Sequence, residues 1–223
     1  MKTVLITGIS RGIGRSLAER FLAEGYFVVG TSLSGGVDLI NHNLTVLKLD
    51  LRTQESISSC AQEIVKSGKN IDMLINNAGV LLDEDETTVV VDRLRQTLEV
   101  NLLGTVDFTE RIVPVMAPSS HIINISSTAG SLEQVGKTTH FPGHYPSYKI
   151  SKAALNMYTR TLALRLKDKG VVVSSVHPGW VKTDMGGENA DLSPADAAQQ
   201  IFNFAISKPE TGQFWFAGKK LAW

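Results

Sequence analysis

"TVLITGISRGIGRSLAERFLAEGYFVVGTS", from Thr3 to Ser32, places two runs of β-branched and aromatic residues, 3–8 and 26–32, on either side of a segment with helical period. Ile13, Leu17, Phe21 and Leu22 fall on one stripe of that segment, as an amphipathic helix packed on a sheet requires. The stretch reads as strand, helix, strand.

The alternation continues outward. "LTVLKLD" (44–50), "IDMLINNAG" (71–79), "HIINISS" (121–127), "VVVSSVH" (171–177) and "GQFWFAG" (212–218) have strand character. Between them the spacing predicts helices near 53–67, two near 86–117, and one each near 147–168 and 194–206. Seven strands alternating with helices predict an α/β fold: a doubly wound, mainly parallel sheet with helices on both faces. No Pro/Ser-rich linker interrupts the order, so residues 1–223 are expected to form a single domain, and 43% hydrophobic content is ample for its core. Lysine plus arginine balances aspartate plus glutamate at 22 each, which disfavours nucleic acid and anionic membrane surfaces as partners. Cys60 is the sole cysteine, so no internal disulfide is expected, and a reducing compartment suits the chain. The opening "MKTVLITG" is too short in apolar residues for a signal or membrane segment. The expectation is a cytoplasmic protein.

Ligands of such sheets bind beyond the carboxyl ends of the strands. Gly8, Gly12 and Gly14 follow the first strand there, Asn76 to Gly79 the fourth, and Pro178 and Gly179 the sixth, while Ser126 and Ser127 end the fifth. In "TGISRGIG" the glycines let backbone approach a phosphate, and the helix start supplies free N–H groups and positive dipole. Gly8, Ser10, Arg11, Gly12, Ile13 and Gly14 therefore form a candidate dinucleotide cradle, although glycine turns also serve packing alone. "NNAG" is either a polar strand-end turn or a cofactor contact through Asn77, Ala78 and Gly79. Asp50, with Leu51 beside it, is a candidate for the adenine end, against the ordinary role of a turn former.

"HYPSYKISKAAL" (144–155) contains two Tyr-x-x-x-Lys pairs, Tyr145 with Lys149 and Tyr148 with Lys152. Proline disfavours the α region for the residue before it and is itself tolerated in a first helical turn. Pro146 thus leaves Tyr145 outside the helix and Tyr148 inside. The stripe of Tyr148 and Lys152 continues through Leu155, Thr159, Leu162 and Leu166 toward a core, whereas that of Lys149 runs through Asn156, Arg160 and Lys167 toward water. A lysine about 4–5 Å from a phenol, at an effective dielectric of ~20, favours the phenolate by roughly 3–4 kcal/mol. That is expected to bring Tyr148 toward the range of a general acid–base group. Ser127 is placed to orient a substrate oxygen. Asn101 is a link behind the lysine or simply a helix-end asparagine.

The sequence resembles the short-chain dehydrogenase/reductase family, with Rossmann fold, through "TGISRGIG", "NNAG", "NLLG", "ISS", "YKISK" and "HPGWVKTDM" in order along nearly the whole chain. The resemblance implies a catalytic set of Asn101, Ser127, Tyr148 and Lys152. It implies cofactor contacts through Tyr148, Lys152, Pro178, Gly179, Val181 and Thr183, with Lys152 on the nicotinamide ribose and Thr183 on the nicotinamide amide. More narrowly, "YKISKAALNMYTRTLA", "HPGWVKTDMGG" and "TGQFWFAGKKLAW" are similar to the subgroup of the C-factor protein and the sniffer-type carbonyl reductases. A homodimer through the helices near 101–117 and 147–168 is implied by resemblance only.

Ser127 and Tyr148 stand 21 residues apart, and "LEQVGKTTHFPGH" between them reads as a wall of the substrate site. The second strand ends Ser32-Leu33 rather than in an acidic residue, which leaves room for a 2′-phosphate, with Ser32 and Arg11 as donors. NADP(H) is therefore expected over NAD(H). His140 and His144 flank Pro142-Gly143, which opposes a zinc site, and no metal is expected. "DEDET" (83–87) reads as a solvated helix start, Cys60 as a packing residue and His177 as a strand-end residue. Trp180, Met185, Phe141 and Leu81 are either pocket lining or core. The whole predicts an oxidoreductase passing hydride between NADP(H) and a small carbonyl or alcohol substrate, with Tyr148 as acid–base. The rival reading is a nucleotide-bound sensor or signalling protein, which needs the glycine loop but not Tyr148. A sugar-nucleotide epimerase is disfavoured by the short C-terminal portion.

Overall fold

The computed structural model describes residues 1–84, 86–137 and 144–223. The elements in chain order are β1 (Thr3–Ile6), α1 (Gly12–Ala23), β2 (Phe27–Ser32), β3 (Leu44–Lys48), α2 (Gln54–Lys66), β4 (Ile71–Asn76), α3 (Val91–Leu98), α4 (Thr105–Ile112), β5 (Met116–Ile125), α5 (Pro146–Leu166), β6 (Val172–Val176), α6 (Pro194–Ile206), β7 (Gln213–Phe216) and β8 (Lys219–Leu221). They build one sheet of order β3-β2-β1-β4-β5-β6-β7-β8. Every pair is parallel except β7 with β8. The strand order reverses between β1 and β4, which opens a crevice at their carboxyl ends.

Alternation along β1 sorts its side chains to opposite faces. Val4 and Ile6 pack with Leu17 and Phe21 of α1 and with Ile201 and Phe202 of α6. Leu5 packs with Ile57 and Ile64 of α2, Phe108 and Ile112 of α4, and Leu162 and Leu166 of α5. Both faces are covered, which is why the strands read as near-continuous apolar runs. Each such side chain fully buried contributes roughly 1.5–3 kcal/mol. Cys60 is buried on α2 in the second cluster, and burial pushes its thiol up to about 12.

Three details differ from the expectation. Among the described residues the sheet has eight strands rather than seven, because Ala217 (φ 46°) and Gly218 (φ 75°) form a two-residue turn that folds β8 back on β7. The two helices expected near 86–117 are one helical run from Val91 to Val115, in which Glu99–Gly104 is a π-helical turn. Gly104 does not break the run: a Cβ there would meet the Leu51 carbonyl oxygen at 2.0 Å, so the glycine serves close packing. Finally, β5 begins at Met116 and carries a register irregularity opposite Ile71 and Met73. No helix among the described residues is long and apolar enough to cross a membrane.

Candidate active site

The glycine loop lies at the crevice. Gly8 and Gly12 have φ of 74° and 56°, where L side chains are strained. A Cβ on Gly14 would stand 2.1 Å from the Gly8 carbonyl oxygen and 2.4 Å from Nδ2 of Asn77. Only bare backbone fits, which is the cradle a pyrophosphate needs. Ser10, Arg11 and Ile13 lie on this turn at the start of α1. Asn77 acts as a brace: its Nδ2 donates to the carbonyls of Thr7 at 2.9 Å and Gly8 at 3.1 Å, while the N–H groups of Asn77 and Ala78 donate to Thr7 Oγ1. Gly79 faces Asn101 and Lys152: a Cβ would lie 3.2 Å from Oδ1 of Asn101 and 3.7 Å from Nζ of Lys152.

Tyr148, Lys152, Ser127 and Asn101 are all buried. Tyr145 stands outside α5 at φ 40°, so the inner pair alone occupies the helix, as Pro146 predicts. Tyr148 hydrogen-bonds the Ser127 side chain. Ser127 Oγ also accepts the Ala129 N–H at 3.1 Å, and Ser126 turns away to donate to Asn156 at 2.7 Å. Asn156 is therefore buried rather than on a solvated stripe with Lys149. Gly130 presses α5 into place, since a Cβ there would come within 2.5 Å of the Lys152 carbonyl carbon. Asn101 lies in the π turn, not at a helix end. Its Oδ1 accepts the Val80 N–H at 2.8 Å, and its Nδ2 donates to the Val80 carbonyl at 2.8 Å and to Ser151 Oγ at 3.1 Å.

The electrostatics correct one expectation. Burial pushes the Tyr148 phenol up to about 12, with the Ser127 hydrogen bond opposing it, and burial pushes the Lys152 ammonium down to about 8. Lys152 Nζ stands 5.5 Å from the Tyr148 ring centroid and donates to the Ile125 carbonyl at 2.9 Å. Desolvation therefore outweighs the attraction that the helical spacing alone suggests.

At the far end of the crevice, Ser32 is buried and its hydroxyl donates to the Gly36 carbonyl at 2.9 Å and accepts the Gly35 N–H at 3.0 Å. Its proton is engaged in that turn, so the expected donation to a phosphate is not what the side chain does here. Leu33 is exposed. Arg11 is exposed and ion-paired with Asp184. Two further cations border this end. Arg15 on α1 donates to the Asp38 carbonyl at 2.6 Å, and Lys48 is the register partner of Ser32. Neither stood out in sequence, because their relevance depends on how the loop after β2 folds back. Asp50 is held by Arg52 through both carboxylate oxygens, and this hydrogen-bonded pairing keeps its carboxyl below the usual range. Leu51 is buried in the core, with its carbonyl packed against Gly104.

The segment after β6 folds toward the glycine loop. Pro178 and Gly179 (φ 88°) turn the chain, and Val181 is buried and bridges Leu192. The Thr183 methyl lies 3.2 Å from where a Gly12 Cβ would stand. Thr183 Oγ1 accepts the Gly186 N–H at 3.1 Å. His177 ends its strand with its ring 4.9 Å from that of Phe216. Trp180 donates Nε1–H to the Gly186 carbonyl at 2.7 Å, and Met185 is exposed. His140 and Phe141 lie outside the described residues, as does most of the second half of "LEQVGKTTHFPGH". Among the described residues no group of three or more His, Cys, Asp or Glu is gathered as for a metal. Asp83, expected to be solvated, is 1% exposed and reaches the start of α5.

A family model described as short chain dehydrogenase matches residues 2–193. The chain belongs to the short-chain dehydrogenase/reductase family. One relative of Rhodococcus sp. (strain AD45), 1-hydroxy-2-glutathionyl-2-methyl-3-butene dehydrogenase, is 32% identical over 100% of both chains. Among solved structures, the NADPH-bound carbonyl reductase from chicken fatty liver is 27% identical with a TM-score of 0.88, covering 100% of this chain and 94% of its own. The carbonyl reductase Sniffer of D. melanogaster is 28% identical with a TM-score of 0.87 and full coverage of both. This short-chain dehydrogenase/reductase is thus an oxidoreductase of carbonyl reductase-like architecture.

Proposed function

We propose that the protein is an NADP(H)-dependent reductase of small carbonyl compounds, with Tyr148 as the proton donor to the substrate oxygen. The observation that carries the reading is the buried contact of Tyr148 with Ser127, next to Lys152. A reduced nicotinamide dinucleotide supplies the hydride when bound. Ser127 orients the substrate oxygen, and Tyr148 delivers the phenolic proton to it. Lys152, charged below about pH 8, stabilises the phenolate left behind. Asn101 ties Val80 to Ser151 and so fixes the α5 turn that carries both Tyr148 and Lys152. Gly8 to Gly14, with Asn77 bracing them, hold the pyrophosphate. Pro178, Gly179, Val181 and Thr183 border the nicotinamide end, and Asp50 and Leu51 the adenine end.

Preference for NADP(H) is supported by the absence of an acidic residue at the end of β2 and by Arg11, Arg15 and Lys48 around it. Arg11 must exchange Asp184 for the phosphate. A homodimer through α5 is supported by the exposed Ile150, Met157 and Leu164, seven residues apart on one stripe.

The test is a panel of aldehydes, ketones and quinones offered with NADPH, followed by loss of its absorbance. Turnover of at least one class is expected. NADPH binding without any turnover would favour a sensor.

A further inference from the structure

The amide groups at the start of α5 have an unusual destination. Tyr145 is the residue before the helix, lies at φ 40°, and offers no side-chain cap. Pro146 has no N–H. The Lys149 N–H reaches the Tyr145 carbonyl at 3.0 Å. That leaves the N–H groups of Ser147 and of Tyr148 itself without acceptors inside the helix. Both point to one atom, Oδ2 of Asp83, at 2.6 and 3.4 Å. Asp83 is 64 residues earlier in the chain, 1% exposed, and its Oδ1 has no hydrogen-bond partner among the described residues. The loop that delivers it is gripped three residues earlier, where Asn101 holds both backbone groups of Val80.

We propose that Asp83 is a positioning residue for the reaction: it caps α5 from a distance and fixes the backbone from which the Tyr148 phenol is aimed at Ser127. A carboxylate suits the place, since it accepts from free N–H groups at the positive end of the helix dipole. Asn101 and Asp83 thus bind the same loop to α5 at two points, one behind Lys152 and one at Tyr148. The proposal rests on the reading of Tyr148 as proton donor.

The test combines amide hydrogen exchange of α5 by NMR with NADPH oxidation by 4-nitrobenzaldehyde and NADPH fluorescence titration, on the wild type, D83N and D83A. In the wild type the Ser147 and Tyr148 amides are expected to be as protected as those of the next turn. In D83A they exchange about tenfold faster. The D83A kcat falls about tenfold or more, since small misplacements of a reacting group are costly. NADPH affinity stays within about twofold, because the cap lies outside the glycine loop that holds the pyrophosphate. D83N, which keeps an acceptor oxygen, retains both protection and kcat. The proposal is overturned by rapid wild-type exchange at these amides, by unchanged kcat in D83A, by an equal loss of NADPH affinity, or by D83N as impaired as D83A. If D83A does not fold, the wild-type amides and D83N decide. If the wild type reduces no carbonyl compound, the proposed reaction fails, while the exchange pattern still decides whether Asp83 caps α5.

Discussion

Burial moves Tyr148 and Lys152 in opposite directions, the phenol up to about 12 and the ammonium down to about 8. The proposed carbonyl reduction needs a proton on the first and charge on the second. kcat/KM for reduction should therefore hold below about pH 8 and fall as pH rises through the Lys152 value, whereas alcohol oxidation, which needs the phenolate, should rise with pH. A pH profile in both directions checks this; a reduction rate constant up to pH 10 would remove Lys152 from the account. Arg11 carries a separate expectation. Arg11→Ala should raise KM for NADPH about tenfold and leave NADH nearly unchanged, since only NADPH carries the 2′-phosphate. Equal losses with both cofactors would place Arg11 on a part they share. Sequence alone singles out these residues as candidates, but not the balance between them. Spacing in a helix reports which side chains are neighbours, while desolvation depends on everything packed around them.

The strand–glycine loop–helix unit is the element with the least tolerance. Gly14→Val puts a branched side chain where the Gly8 carbonyl and Asn77 already stand at 2.1 and 2.4 Å from the position of a Cβ. NADPH binding should fall by about tenfold or more in a variant that still folds, as judged by circular dichroism alongside a fluorescence titration. Retained affinity would mean that the loop is not the cradle. At this scale the sequence was legible where periodicity is long, as in α1 and α5, and where a side-chain cap marks the start as well, as in α6, whose Ser193 accepts the Asp196 N–H. It was less so where tertiary packing decides. The π turn at Asn101 and the uninterrupted run through Gly104 depend on the Leu51 carbonyl. β8 depends on reading Ala217-Gly218 as a hairpin turn rather than a strand end. Asp83 was hidden because an acidic run looks solvated until the loop carrying it is seen folded onto α5.

The molecule also buries a titratable imidazole away from Tyr148 and Lys152. His121 on β5 contacts the Ala205 carbonyl at 3.3 Å and Ser174 Oγ at 3.0 Å, and burial lowers it to about 4. Its folded value lies below the unfolded ~6.5, so the unfolded chain binds more protons between the two and stability falls as pH drops from ~6.5 toward ~4. Urea midpoints at pH 7.5 and 5 should show that loss in the wild type and less of it in His121→Gln; identical losses would assign the acid sensitivity elsewhere. The sheet order that gathers the glycine loop, "NNAG", Ser127 and Tyr148 at one crevice points to a single central claim, that Tyr148 moves the proton. Its most direct measurement is the NADPH oxidation rate of Tyr148→Phe and Tyr145→Phe, each with the best carbonyl substrate of the panel and with NADPH affinity measured in parallel. Tyr148→Phe should lose about 10²–10⁴-fold in kcat with NADPH affinity retained, while Tyr145→Phe keeps most activity. An active Tyr148→Phe, or the loss falling on Tyr145→Phe instead, would contradict the account.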